Sequence, residues 1–482
     1  MTRTTPLAIG FAKGSGGWLV LKRLILCLDG TWNTADSQQI TNIVRIRDLI
    51  APNVLTAAGA EEQRIYYHTG VGTGLSTRDK VMGGAVGLGL SQNVRAAYKY
   101  LSREYEAGVE IYILGFSRGA FTARSLAGYI GASGLLKADH CSAENEERAW
   151  RYYLTSPDSR FPKEAEALAR LSHDTVRIRL LGVFDTVGAL GVPLEALGNW
   201  NARRFQFHNV TLGSNIDFAF HAIAIDEKRG PFKPSLWQLP YHRGFRFVEQ
   251  VWFPGVHSNI GGGYEDQSLS DRTLFWMLSR IEKHELGLVL LADWRDAVRP
   301  QVNGTLYESR TSAYLWSRYR PMVRVINQLP TQLSVQPTAR RRVARLPPHA
   351  IPIGEGVDYS ALARWQLSEK SGARIPQYQP INLKAALDAT FVGTAQRDQP
   401  QRGGIVAWPV PIVDQQGEPY NWLKDEHQRE VLKSFLPDEY KALCDKTARA
   451  VENVPVEDVS EFWNFYQESK IRWSQRIGKG FS

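Results

Sequence analysis

The sequence predicts an α/β fold, a mainly parallel sheet with helices on both faces. Apolar runs of strand length alternate with helix-period segments, and each run ends in turn-forming or polar residues. Four runs read as buried strands: LKRLILCLDG (21–30), GVEIYILGFS (108–117), VRIRLLGVFD (176–185) and GFRFVEQVWFPG (244–255). Each is rich in Ile, Val, Leu or aromatic residues and closes on Gly, Asp, Ser or Pro. A shorter candidate is QRIYYHTG (63–70). Between them lie helical candidates at 42–50, 91–107, 118–134 and 143–156. In the second, Val94, Ala97, Tyr98, Leu101 and Tyr105 recur at helical spacing. Such sheets gather ligands beyond the C-terminal ends of their strands. The polar residues there are therefore the first candidates for chemistry.

A chain of 482 residues holds one large domain with accessory structure, or two to three smaller ones. After about residue 300 the texture changes. The stretch 337–354 is rich in Pro and Arg and reads as an exposed loop, and the chain beyond 415 reads as helical. The expected division is a catalytic α/β domain over 1–300 and an accessory region over 301–482, a loop or lid with a helical C-terminal part.

Composition is that of a globular protein, 43% hydrophobic and 22% charged. Cys27, Cys141 and Cys444 are far apart and form no CxxC pair, which supports neither a disulfide framework nor a cysteine-based zinc site. The apolar run near the N-terminus is broken by Lys22 and Arg23, with no signal-peptide cleavage pattern. The expectation is a soluble chain, cytoplasmic or exported without a cleavable signal, and not transmembrane. The formal net charge of +9 favours an anionic partner. The charge alone leaves phospholipid headgroups, nucleic acid and an acidic partner open; with the motifs that follow, peripheral contact with an anionic membrane is expected and nucleic acid is not.

Gly115-Phe116-Ser117-Arg118-Gly119 matches GxSxG, with a strand before it and a helix after it. A serine on a sharp strand-to-helix turn projects its hydroxyl into a cleft, and bulky neighbours would clash, so Gly115 and Gly119 shape the turn. The alternative for Ser117 is a helix cap. A serine nucleophile needs a base, and the base an orienting group. His257, just past a strand and followed by Gly261, Gly262 and Gly263, is the candidate base. Asp185, at the end of the intervening strand, is the candidate orienting acid, with Asp226 and Asp271 as alternatives. The order Ser, Asp, His is that of serine hydrolases on α/β sheets. His68, His208 and His221 lack a comparable strand-end setting.

Asp29-Gly30-Thr31 follows the first strand. A phosphatase DxDGT motif would require aspartate where Cys27 stands, so that chemistry is excluded. The expected role is the oxyanion side: backbone N–H groups of Gly30, Thr31 and Arg118, with Asp29 shaping the loop. The glycine-dense segments HTGVGTG (68–74) and MGGAVGLGL (82–90) lack a P-loop lysine and the full dinucleotide fingerprint; they read as loops bordering the cleft. The run Arg340, Arg341, Arg342 and Arg345 reads as a solvated face. The segment 459–477, with Phe462, Trp463, Tyr466 and Trp473, reads as a packed helix or a lipid-interface element.

The motifs LDGTWN, GVGTG, IYILGFSRGAFTAR, GVFDTVGALG, AIDEKR and WFPGVHSNIGGGY occur in the order seen in a group of α/β hydrolases that includes the class 1 phospholipase effectors of bacterial type VI secretion. The chain resembles that group over about residues 22–280. The resemblance implies an α/β-hydrolase fold and a triad on Ser117, Asp185 and His257. For the secreted effectors it also implies phospholipase A activity on membranes of competing bacteria. Asn259 stands where many members have Asp, and His68-Thr69 where many have an acidic residue.

The expected function is hydrolysis of acyl esters, chiefly phospholipids, through an acyl-enzyme, with no cofactor and no metal. Two alternatives remain open: an esterase, thioesterase or amidase acting on a soluble substrate, and an inactive hydrolase fold serving as a binding module.

Overall fold

The computed structural model describes residues 21–30, 40–56, 59–70, 83–187, 212–238, 247–310, 321–326, 354–370, 377–384, 386 and 412–413. Strand β1 spans Leu21–Leu28, followed by α1 (Asn42–Leu49), β2 (Asn53–Thr56), β3 (Gly59–His68) and α2 (Gly83–Glu104). Then come β4 (Glu110–Phe116), α3 (Arg118–Ser133), α4 (Ala143–Leu154), α5 (Pro162–Leu171), β5 (Ile178–Phe184) and β6 (Ile216–Ala224). The series continues with β7 (Phe247–Phe253), α6 (His257–Gly261), α7 (Ser268–Lys283), α8 (Trp294–Ala297), β8 (Glu355–Asp358), α9 (Tyr359–Lys370) and β9 (Ile412–Val413).

The strands form one sheet in the order β2-β3-β1-β4-β5-β6-β7-β8-β9. Every pairing is parallel except the edge pair of β2 with β3. The α/β expectation therefore holds. Strand alternation sorts the apolar residues between two helical layers. Leu24, Leu26, Leu28, Ile111 and Ile113 pack with α2 and α3. Ile25, Cys27, Tyr112, Leu114 and Phe116 face the opposite way, against α1 and α7.

Several details differ from the sequence reading. Strand β6 was not anticipated, and it lies between the strands carrying Asp185 and the loop to His257. Gly83–Leu90, read as a loop, forms the start of α2. Packing carries that helix: Val94, Ala97, Tyr98 and Leu101 are buried along it and offset a glycine-rich start that propensity opposes. The sheet also continues past residue 300, because β8 pairs with β7. Asp358, at the end of β8, forms a buried bidentate ion pair with Arg272 on α7. The described part of the region beyond 300 thus shares the sheet and core of the first 300 residues. The Arg340–Arg345 run and the segment 459–477 lie outside the described residues.

Candidate active site

The parallel sheet places Ser117, Asp185 and His257 beyond the same edge, past the C-terminal ends of β4, β5 and β7. Ser117 sits between β4 and α3 at φ 58° and ψ −119°, a region that L-residues avoid. The turn is locked from both sides. A Cβ at Gly119 would lie 2.1 Å from the carbonyl oxygen of Leu28, and one at Gly115 would lie 2.7 Å from Ala120 Cα. Both contacts are with backbone, so neither can yield. Asp185 is also strained, at φ 36°. Among the described residues only one other non-glycine residue, Glu285, has positive φ. Strain of this kind concentrates where a side chain must be held in one place.

The three side chains form a hydrogen-bonded line. Ser117 Oγ lies 2.8 Å from His257 Nε2, and His257 Nδ1 lies 2.6 Å from Asp185 Oδ2. The imidazole is flanked by Phe116 and Phe232, with ring centroids at 4.7 Å and 4.9 Å. Its backbone N–H donates to Glu227 Oε2 at 3.3 Å. Glu227 is itself fixed by Arg229 and by the Ser309 hydroxyl.

Asp185 Oδ1 accepts from the Ala224 N–H at 3.0 Å and from Arg324 Nη1 at 2.6 Å, and Oδ2 accepts from Arg324 Nη2 at 3.0 Å. Burial raises the proton affinity of Asp185, but the Arg324 charge and the His257 contact outweigh it and hold the carboxyl well below the usual range. Burial lowers the pKa of His257. The hydrogen bond and charge of Asp185 oppose that shift only in part, so the imidazole titrates below its ordinary 6.5. At neutral pH the arrangement is therefore a neutral imidazole between a hydroxyl and a carboxylate, which can take up the hydroxyl proton.

The alternative acids are engaged elsewhere. Asp226 accepts from Gly255 N–H at 2.7 Å and from the Tyr378 hydroxyl at 3.1 Å, and Asp271 pairs with Arg45. His221 is buried within β6, where Nε2 accepts from the Thr186 N–H at 3.1 Å; burial pushes its pKa down to about 3. His68 ends β3, with its carbonyl accepting from Asp29 N–H at 3.0 Å. His208 lies outside the described residues.

Asp29 accepts from Gly30 N–H at 2.6 Å, from the Thr41 hydroxyl at 2.7 Å and from the Tyr67 hydroxyl at 3.0 Å. The Gly30 N–H thus points at the Asp29 carboxylate. Thr31 lies outside the described residues. Arg118 is the first residue of α3, directly after Ser117. A small cleft beside this turn is bordered by Asp29, His68, Asn93, Arg118 and Gly119.

Sequence reasoning missed Arg324, Glu227 and Phe232. Arg324 carried no local signal, since it lies 139 residues from Asp185. Glu227 stood within the quoted AIDEKR motif, and its charge beside a strand end was the available clue.

Residues 22–280 match the family model "T6SS, Phospholipase effector Tle1-like, catalytic domain". The chain belongs to that family. The match contains Ser117, Asp185 and His257 and ends before Arg324. A curated relative from Saccharomyces cerevisiae, "Uncharacterized protein YEL023C", is 29% identical over 252 residues, covering 46% of this chain and 35% of its own. The chain thus spans about a third of that relative's length. Two solved structures are similar. One is "Structure of the Tle1 effector bound to the VgrG spike from the Type 6 secretion system", at 20% identity and TM-score 0.30, covering 55% of this chain and 56% of that one. The other is an uncharacterized protein from Pseudomonas aeruginosa, at 16% identity and TM-score 0.36, covering 90% and 62%. No helix among the described residues of this Tle1-like chain is long and apolar enough to cross a membrane.

Proposed function

We propose that this Tle1-like protein is a serine hydrolase that cleaves acyl esters of phospholipids through Ser117, His257 and Asp185. The observation that carries the reading is the line Ser117–His257–Asp185, with spacings of 2.8 Å and 2.6 Å, on a strained strand-to-helix turn. His257 removes the Ser117 proton as Oγ attacks the ester carbonyl. Asp185 holds the imidazole with its N–H on Nδ1 and stabilises the imidazolium that forms. By its position directly after the nucleophile, the Arg118 N–H is assigned to the developing oxyanion. His257 then protonates the leaving alcohol, and water, activated by the same imidazole, releases the fatty acid from the acyl-enzyme. Membership of a phospholipase effector family supports the lipid substrate, and the net charge of +9 supports contact with an anionic surface.

The test is covalent labelling with a fluorophosphonate across pH, with the modified peptide identified by mass spectrometry. Ser117 is expected to be the labelled residue. Labelling should fall as the pH drops through the His257 pKa and the imidazole becomes protonated. Because that pKa lies below 6.5, the reaction should keep more than half its rate at pH 6.5. Labelling elsewhere, or a flat profile, contradicts the assignment.

A further inference from the structure

Arg324 approaches the candidate triad from beyond the family-matched span and is fully buried there. Both of its terminal nitrogens grip both Asp185 oxygens, a fork-to-fork pairing that fixes the plane of the carboxylate. The same nitrogens donate to the carbonyls of Ala224 at 2.9 Å and Phe232 at 2.6 Å. Phe232 in turn packs on the His257 ring. The short segment carrying Arg324 is anchored on both sides: Met322 N–H donates to the Lys228 carbonyl at 2.8 Å, and Ile326 is buried in the core cluster with Trp252 and Val357. Asn259, on the helix of His257, donates to the Thr305 carbonyl at 3.1 Å, a bond that an Asp there could not make.

We propose that Arg324 is a positioning residue that orients Asp185 and offsets its charge, and so sets the pH at which His257 becomes a base. The inference rests on the reading of His257 as the base. Glu227 and Arg229 pair with each other at 2.9 Å and largely cancel. His221, behind Asp185, is held neutral by burial, with Arg124 beyond it disfavouring its charged form further. Among the described residues, the charges joined by hydrogen bonds to His257 Nδ1 are Asp185, directly, and Arg324, through Asp185. An imidazolium beside Asp185 alone is stabilised by a full negative charge, whereas beside the Asp185–Arg324 pair much of that stabilisation is cancelled. Removing the Arg324 charge therefore raises the His257 pKa.

The experiment uses the full chain with Arg324→Gln and Arg324→Lys. It follows the His257 titration by NMR of its imidazole signals and, in parallel, the pH profile of kcat/KM on a short-chain ester. Glutamine should move both midpoints upward by about 1–2 pH units, estimated from one charge at a few ångströms in a partly polarisable interior. Lysine keeps the charge but loses the fork. It should stay within about half a unit of wild type while melting at a lower temperature. A folded glutamine variant whose His257 midpoint is unchanged overturns the proposal and leaves Arg324 as a structural clamp. Should glutamine fail to fold, a lysine variant titrating a full unit above wild type overturns it equally. The NMR titration reads His257 whatever the substrate, so absent ester hydrolysis with a shifted midpoint counts against the hydrolase reading alone.

Discussion

Ser117→Ala is expected to lower acyl-ester hydrolysis by about 10⁴–10⁶-fold, the loss typical when a triad nucleophile is removed. What remains in such variants comes from binding and oxyanion stabilisation, not from the base. The fold should persist, because Ser117 donates its side chain only towards His257 and its backbone bonds, N–H to the Phe184 carbonyl and C=O to Phe121, are unaffected. The strained backbone makes a second variant informative. Ser117→Gly should lose activity equally, yet gain on the order of 1 kcal/mol of stability, because glycine adopts φ 58° without the penalty that serine accepts. A melting temperature that rises as activity vanishes would show that the strain serves chemistry rather than folding.

Asp185→Asn is expected to reduce kcat by about 10⁴-fold, for a reason visible in the surrounding donors. An amide in this position has one oxygen and one NH₂ group. Oδ1 of the native carboxylate meets two donors, Ala224 N–H and Arg324 Nη1, whereas Oδ2 meets Arg324 Nη2 and His257 Nδ1. The orientation with fewer donor clashes keeps the amide oxygen at the Oδ1 position and turns NH₂ towards His257. That NH₂ group stabilises the tautomer with the proton on Nε2, which cannot accept from Ser117. The same change leaves Arg324 buried beside a neutral group. Loss of one partner from a buried ion pair costs about 3–5 kcal/mol, so the variant should also melt well below wild type. Activity and stability thus fall together for Asp185→Asn but separate for Ser117→Ala, a contrast that thermal melts and ester assays check side by side.

The elements legible from sequence were those whose composition matched their burial. LKRLILCLDG and GVEIYILGFS carry unbroken apolar runs that supply both covered faces of β1 and β4, and the turn chemistry after them marked both ends. Strand β6 was hidden by polar residues that are buried and paired. Asp217 meets Arg177, and His221 spans Thr186 and Gln250, so both interrupt an apolar run without leaving the core. Strand β8, EGVD, reads as a polar turn because half of it is acidic. Glu355 accepts from Trp252 Nε1 at 3.0 Å and Asp358 pairs with Arg272, partners from distant sequence. That Ser117, Asp185 and His257 come within hydrogen-bond reach of one another was legible as a candidate grouping because each follows a strong strand signal and the chain order is characteristic. Arg324 was not, since a single arginine in an unremarkable segment gains its meaning only from a carboxylate brought to it by folding.

The decisive experiment on Ser117 is product analysis after incubating the protein with mixed phospholipid vesicles. Free fatty acid and lysophospholipid are expected in equal amounts with the native protein, and neither with Ser117→Ala. Release of a phosphorylated headgroup, or fatty acid release that survives Ser117→Ala, would contradict it.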